Sequence, residues 1–277
     1  MTYKIVTDSS SNLHEFSGID YACVPLTINT DEREFVDSKD LDVKEMVDYL
    51  STYKGKSGSA CPSVAAYLDS FGDADRVFVI TITGTLSGSC NAARLAKEDY
   101  EADYPDRKVF VIDSLSAGAE LKLIAEKLKE MIDAGTDFDE ICTSIMAYKE
   151  KTGLIFCLEN LNNLANNGRV NPAVAKIAGM LGIRVCGIAS PQGELDPSDK
   201  CRGEKKALSG ILNLMTKHGY AGGKVIIDHC FNDAFANTVK EALLKTYPDA
   251  NIRFGKTYGL CSFYAEKGGL IIGFEKK

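Results

Sequence analysis

Val77 to Ala96, VFVITITGTLSGSCNAARLA, reads as a buried strand, a tight hydroxyl-rich turn and a helix. Val77 to Ile82 is an unbroken β-branched and aromatic run, the pattern of a parallel strand covered on both faces. Asn91 to Lys97 switches to alanine-rich helical spacing. Between them, Thr83, Thr85, Ser87 and Ser89 place hydroxyls, and Gly84 and Gly88 place flexible backbone, where the first helical N–H groups lack partners. Such a turn can hold an anion. The same residues would also serve merely as an N-cap and turn formers, so the rest of the chain has to decide.

Two further strands end in the same chemistry. Tyr3 to Thr7 runs into Asp8, Ser9, Ser10 and Ser11, and Val109 to Ile112 runs into Asp113, Ser114, Leu115, Ser116, Ala117 and Gly118. In open α/β sheets ligands sit outside the carboxyl ends of the strands, so the three clusters point to one crevice. Asp8 and Asp113 read as structural, each accepting backbone N–H bonds in its turn, which leaves the serines to contact a ligand. Around them, Tyr21 to Ile28 carries Pro25 and is expected at the sheet periphery. Asp31 to Asp42 reads as a surface loop, Leu41 to Leu50 as a helix, Lys54 to Ser63 as a flexible polar loop, and Ala65 to Phe71 as a helix.

Near residue 150 the character changes. Gly153 to Leu158 reads as a strand, Glu159 to Ala165 as a short helix, and Pro172 to Leu181 as a helix opened by proline. Ile183 to Ala189 and the segment after Gln192-Gly193 form a hairpin. Helices at Lys205 to Lys217 and Ala234 to Tyr247 alternate with strands at Lys224 to His229, Asn251 to Phe254 and Leu270 to Phe274. The expected fold class is α/β with two domains: residues 1–150 as a parallel α/β/α layer carrying the hydroxyl turns, and residues 151–277 as a mixed-sheet α/β domain.

Composition narrows the function. With 39 acidic and 32 basic residues among 277, the formal charge of −7 argues against nucleic acid and against an anionic membrane surface. No basic-plus-apolar opening segment and no run near the ~18 apolar residues of a membrane span are present, so a cytoplasmic protein without stable membrane insertion is expected. Nine cysteines, an odd number with no C-x-x-C pair, argue against a disulfide framework or zinc cage. None of the three histidines, His14, His218 and His229, lies in a hydroxyl-rich turn, and His229, which ends a strand, reads as a structural residue. Gly84 to Gly88 is G-x-x-S-G, one residue out of step with the hydrolase elbow, and no Walker A or G-x-G-x-x-G loop occurs. What remains is a hydroxyl cradle for one anionic head group, with no cofactor or metal.

Six segments in order then resemble the DegV family of bacterial fatty-acid-binding proteins: Val6-Thr7-Asp8-Ser9, Ser59-Ala60-Cys61-Pro62-Ser63, Leu86-Ser87-Gly88-Ser89, Val111-Ile112-Asp113-Ser114, Gly168-Arg169 and Arg202-Gly203-Glu204-Lys205-Lys206. The likeness covers almost the whole chain. It implies one long-chain fatty acid of the palmitate kind held between two domains and delivered to a separate ATP-dependent kinase. It places the carboxylate on Ser59 and Ser87, with Ser89 and the N–H groups around Gly88 in support, and it puts Arg169, Arg202, Lys205 and Lys206 at a basic rim for the kinase or its nucleotide. The chain departs from the family pattern at Ala60, Cys61 and Asn167, and a family histidine near the head group is replaced by Tyr264, with Ser262 close by. A phenol donates a hydrogen bond but carries no positive charge near neutral pH. Binding is therefore expected to survive better than transfer to a kinase.

A fatty acid also fits on physical grounds, since a carboxylate needs several donors and each buried methylene contributes about 0.8 kcal/mol. Two other readings stay open at this point. A phosphosugar-binding, isomerase-like domain would use the same turn for phosphate, and a serine hydrolase would use Ser87 as nucleophile.

Overall fold

The computed structural model describes residues 1–178, 180 and 182–277. Strand β1 (Tyr3–Asp8) leads through a 3-10 turn at Ser9–Ser11 to β2 (Asp20–Val24). Pro25 has no N–H for a ladder, and the run expected as one peripheral strand divides there: β2 stays at the edge of the parallel sheet while β3 (Thr27–Thr30) opens a second sheet. β4 (Glu34–Val36) lies inside the expected surface loop. After α1 (Val43–Thr52), the expected flexible loop contains β5 (Ser57–Ala60). Both short strands come from pairing rather than pattern, flanking β3 antiparallel so that Ile28 stands opposite Phe35 on one side and Ser59 on the other.

The first half continues through α2 (Val64–Phe71), β6 (Arg76–Thr81), α3 (Ser89–Asp103), β7 (Lys108–Asp113), α4 (Ala119–Asp133) and α5 (Phe138–Lys149). β2, β1, β6 and β7 lie side by side in that order, all parallel. Both faces are covered, as the unbroken apolar run requires: Val77 and Val79 pack with Phe71, Ala93 and Ala96, while Phe78 and Ile80 pack with Leu121, Ile124 and Ile145. The chain leaves β1 on one side for β2 and returns on the other as β6. A crevice therefore opens at their carboxyl ends.

The second half runs β8 (Thr152–Leu158), α6 (Asn162–Asn166), α7 (Pro172–Ala178), β9 (Ile183–Ala189), β10 (Leu195–Arg202), α8 (Glu204–Lys217), β11 (Tyr220–His229), α9 (Asp233–Thr246), β12 (Ile252–Lys256), α10 (Gly259–Ala265) and β13 (Leu270–Lys276). The helix expected over Pro172 to Leu181 is α7 as far as Ala178, and residues 179 and 181 lie outside the described residues. The sheet order is β10-β9-β8-β13-β11-β12, with β11 and β12 parallel and the other pairs antiparallel. Along β8 the side chains alternate: Ile155 and Cys157 join the core under α8 and α9, while Leu154, Phe156 and Leu158 face the first half. No helix among the described residues is long and apolar enough to cross a membrane.

Helix α4 is the layer between the two sheets. Leu121, Ile124 and Leu128 pack on the parallel sheet, and Ala119 and Leu123 on the mixed one. Its start fits against β13 because residue 273 is glycine: a Cβ there would lie 2.6 Å from the Ala119 carbonyl carbon. A buried polar joint fixes the same interface. Lys122 Nζ lies 2.7 Å from Asp228 Oδ1, and the Asn12 amide donates to Asp228 Oδ2 at 2.8 Å while its oxygen accepts the Tyr258 N–H at 2.9 Å.

Glu120, on the first turn of α4, is buried with two hydroxyl neighbours, Ser116 and Thr152. Thr152 Oγ1 lies 2.7 Å from Glu120 Oε1 and 2.8 Å from the Lys149 carbonyl. One hydroxyl proton cannot serve both acceptors, so the contacts are satisfied together when Glu120 carries its own proton. Burial pushes its carboxyl up in the same sense, opposed by the hydroxyls. The folded chain then keeps a proton that the unfolded chain releases, and stability falls as pH rises from the ordinary carboxylate range through the folded value. Glu120→Gln, whose amide can donate to Thr152, lacks that loss. Urea unfolding between about pH 4 and 8 should show the variant gaining on the parent as pH rises. A gap independent of pH would show that Glu120 titrates as an ordinary carboxyl.

Candidate functional site

The turn between β6 and α3 is shaped by two carboxylates. Asp8 is fully buried and accepts the Ile82 N–H at 2.9 Å, the Ser10 N–H at 3.2 Å and the Ser89 hydroxyl at 2.6 Å. Asp113 accepts the Gly84 N–H at 3.2 Å and the Leu115 N–H at 3.1 Å. Both are structural, as their positions in the sequence suggested. From the second half, the hairpin turn between β9 and β10 locks on: the Thr85 hydroxyl donates to the Gly193 carbonyl at 2.6 Å. Gly193 has φ +81°, and a Cβ would fall 2.1 Å from Thr83 Oγ1, so no other residue fits this junction.

That wiring corrects one expectation. Ser89 does not face a ligand: it is fully buried, its hydroxyl donates to Asp8, and it sits 2.7 Å from the Tyr67 hydroxyl. The hydroxyl-rich turn has one member consumed by the carboxylate that shapes it. Ser87, half-buried, points the other way, and among the described residues its oxygen accepts only the Ser89 N–H, at 3.2 Å.

Ser87 opens into a narrow cavity walled by residues from all three sheets and the loops at their ends. Leu154, Phe156 and Leu158 of β8 and Ile271 of β13 form one apolar wall. Leu26 and Ile82, from the ends of β2 and β6, face Leu260 and Ala265 of α10. The polar lining residues are Ser59, Ser87, Arg169 and Tyr264. Ser59 Oγ and Tyr264 Oη are 2.8 Å apart. Arg169 donates to backbone carbonyls, Nε to Leu86 at 3.3 Å and Nη1 to Asn167 at 2.5 Å, and makes no ion pair among the described residues.

Tyr264 is brought here by α10, whose start is held by a carboxylate far away in the chain. Asp37, fully buried after β4, accepts the Gly259 N–H at 2.7 Å and the Leu260 N–H at 2.8 Å. Ser262 is not at the head group, because its hydroxyl is 2.7 Å from Thr257 Oγ1 in a buried pair. Gly88 is exposed at the start of α3, outside the cavity and beneath the Cys61 thiol, which would meet a Cβ there at 3.1 Å. Arg202, Lys205 and Lys206 do not form a rim: they are exposed at the end of β10 and the start of α8, and α8 covers the face of the mixed sheet opposite the cavity. Their charge demanded solvent, which either face provides. His229 is structural, its Nδ1 accepting the Asn232 N–H at 3.2 Å.

An apolar chamber whose polar lining is limited to three hydroxyls and one guanidinium suits an amphiphile with one anionic group. Sugar phosphates would leave the leucine walls without function. None of the three histidines lines the cavity, so Ser87 has no imidazole base beside it among the described residues.

The family model described as "Uncharacterised protein, DegV family" matches residues 2–277. The chain belongs to the DegV family. A DegV domain-containing protein of Streptococcus pneumoniae is 43% identical to it over 279 aligned residues, covering 99% of each. Among solved structures, a DegV family protein from Eubacterium eligens, loaded with heptadecanoic acid, is 43% identical and superposes over 100% of both chains with a TM-score of 0.98. The Streptococcus pneumoniae Fatty Acid Kinase B3 protein, loaded with linoleic acid, is 42% identical, also over 100% of both chains, with a TM-score of 0.98. The DegV fold expected from six short segments thus extends over the whole chain.

Proposed function

We propose that this DegV protein binds one long-chain fatty acid between its parts 1–150 and 151–277 and presents the carboxylate to a separate ATP-dependent kinase in the cytoplasm. The observation that carries the reading is the cavity's lining: leucine, isoleucine and phenylalanine throughout, with Ser59, Ser87, Tyr264 and Arg169 as its polar members, Ser59 bonded to Tyr264 and Arg169 to the Leu86 carbonyl beside Ser87. The fatty acids in the two superposable structures, and the kinase in the name of one, support the ligand class and the partner class. The chain's role is to hold and orient the acid. The tail supplies affinity through burial, the hydroxyls fix orientation, and Arg169 is the only cation lining the cavity among the described residues. With Tyr264 in place of a histidine, head-group charge is balanced from the Arg169 side alone, so transfer to a kinase is expected to be slower than binding would suggest.

Native mass spectrometry of protein purified without added lipid tests this directly. The expected result is an adduct with the mass of one long-chain fatty acid, lost on organic extraction and restored by palmitate. Protein that is free of adduct and takes up no palmitate would overturn the reading.

A further inference from the structure

Outside the head-group end of the cavity lies a second, shallow basin that shares Leu86, Ser87 and Arg169 with it. Its remaining wall includes Gly84, Thr85, Gly88, Asn91 and Arg94. Asn91 and Arg94 are three residues apart on α3 and so present one face of the helix. Arg94 is exposed and has no hydrogen bond or ion pair among the described residues. Among the described residues no carboxylate lines the basin, and Asp113, close to Gly84, is turned onto the Gly84 and Leu115 amides. Two guanidiniums with no ion pair among the described residues, an amide and exposed glycine backbone therefore border the point where a bound carboxylate would face outward.

We propose that this basin is a phosphoryl-binding site and that Arg94 is the residue that distinguishes an acyl phosphate from a free acid. The inference rests on the fatty-acid reading above. When a carboxylate oxygen attacks the terminal phosphorus of a nucleoside triphosphate, the new P–O bond joins the acid to the phosphoryl group and the bond to the departing diphosphate breaks. No proton is released. The acid carried one negative charge and the acyl phosphate carries two, and the added phosphoryl oxygens lie beyond Ser87 on the outward side. Ser59, Ser87 and Tyr264 already surround the carboxyl. The extra charge and its acceptors fall to Arg169, Arg94 and Asn91, and a guanidinium suits phosphate because it donates in a planar fork.

The test compares palmitate with 2-oxoheptadecylphosphonate, a non-hydrolysable analogue of palmitoyl phosphate, by calorimetry on the full chain. Arg94→Ala should weaken the phosphonate by about tenfold and Arg94→Glu by more, while both bind palmitate within about twofold of the parent. Arg94→Lys should recover part of the loss. Inorganic phosphate alone should compete with the phosphonate at high concentration but not with palmitate. Phosphonate affinity indifferent to Arg94, with palmitate still bound, would overturn the basin alone. Parent protein that binds neither compound would overturn the fatty-acid reading and the basin with it. Because Arg94 is exposed, its replacement removes no packing, and unchanged palmitate binding certifies each variant as folded.

Discussion

Replacing both Ser59 and Ser87 by alanine is expected to weaken binding of palmitate by about a hundredfold, with the bound stoichiometry unchanged. Each hydroxyl offers a hydrogen bond to an ionised acceptor in a largely apolar chamber, and leaving such an acceptor short of a donor costs about 1–3 kcal/mol. At about 1.4 kcal/mol per tenfold, two losses of that size give the stated factor. The single variants should differ in kind. Ser87 has no side-chain partner among the described residues, so its removal costs the full bond. Ser59 is paired with the Tyr264 phenol, which is freed to turn toward the carboxylate when Ser59 is lost. Ser59→Ala should thus cost less than Ser87→Ala, and Ser59→Ala combined with Tyr264→Phe should cost more than the sum of the two changes. Displacement of a fluorescent fatty acid would measure all four. Parental affinity in the Ser59, Ser87 double variant would remove both hydroxyls from the head-group site.

Ser87 was legible because its surroundings are local: a buried strand, a glycine turn and a helix follow one another within twenty residues. Which hydroxyl of that turn faces inward was not legible, because Asp8, on another strand, takes Ser89 for itself. Ser59 is the reverse case. Its segment, Ser57-Gly58-Ser59-Ala60, has no strand pattern of its own, and it becomes β5 only because β3 offers a backbone edge to pair with. Resemblance to a family supplied that residue; periodicity could not. The helix carrying Tyr264 is hidden for the same reason, since its first N–H groups are capped by Asp37, more than 220 residues earlier. Strands buried on both faces announce themselves through composition. Elements created by distant partners do not.

The larger effect is expected from the tail. Ala117, in the loop after β7, lines the cavity and packs with Leu26, Ile82, Leu260 and Tyr264, near the head-group end. It is only partly buried, so a ring at this position has the chamber itself to enter. Ala117→Phe should therefore obstruct the channel close to the carboxylate and deny burial to most of the methylenes beyond. At about 0.8 kcal/mol for each, excluding only five costs about 4 kcal/mol, close to a thousandfold in affinity. That exceeds what the two serines supply together. The chain should still fold, since Ala117 is only partly buried and lines the cavity, and overpacking typically adds about 1–3 kcal/mol of strain. Thermal unfolding of lipid-free protein should accordingly change little, while native mass spectrometry shows the copurified adduct gone. The serine variants should show the opposite pairing: adduct retained on isolation, affinity reduced in titration. An Ala117→Phe protein that keeps its adduct and parental affinity would mean that the tail runs elsewhere, away from the wall formed by Leu154, Phe156 and Ile271.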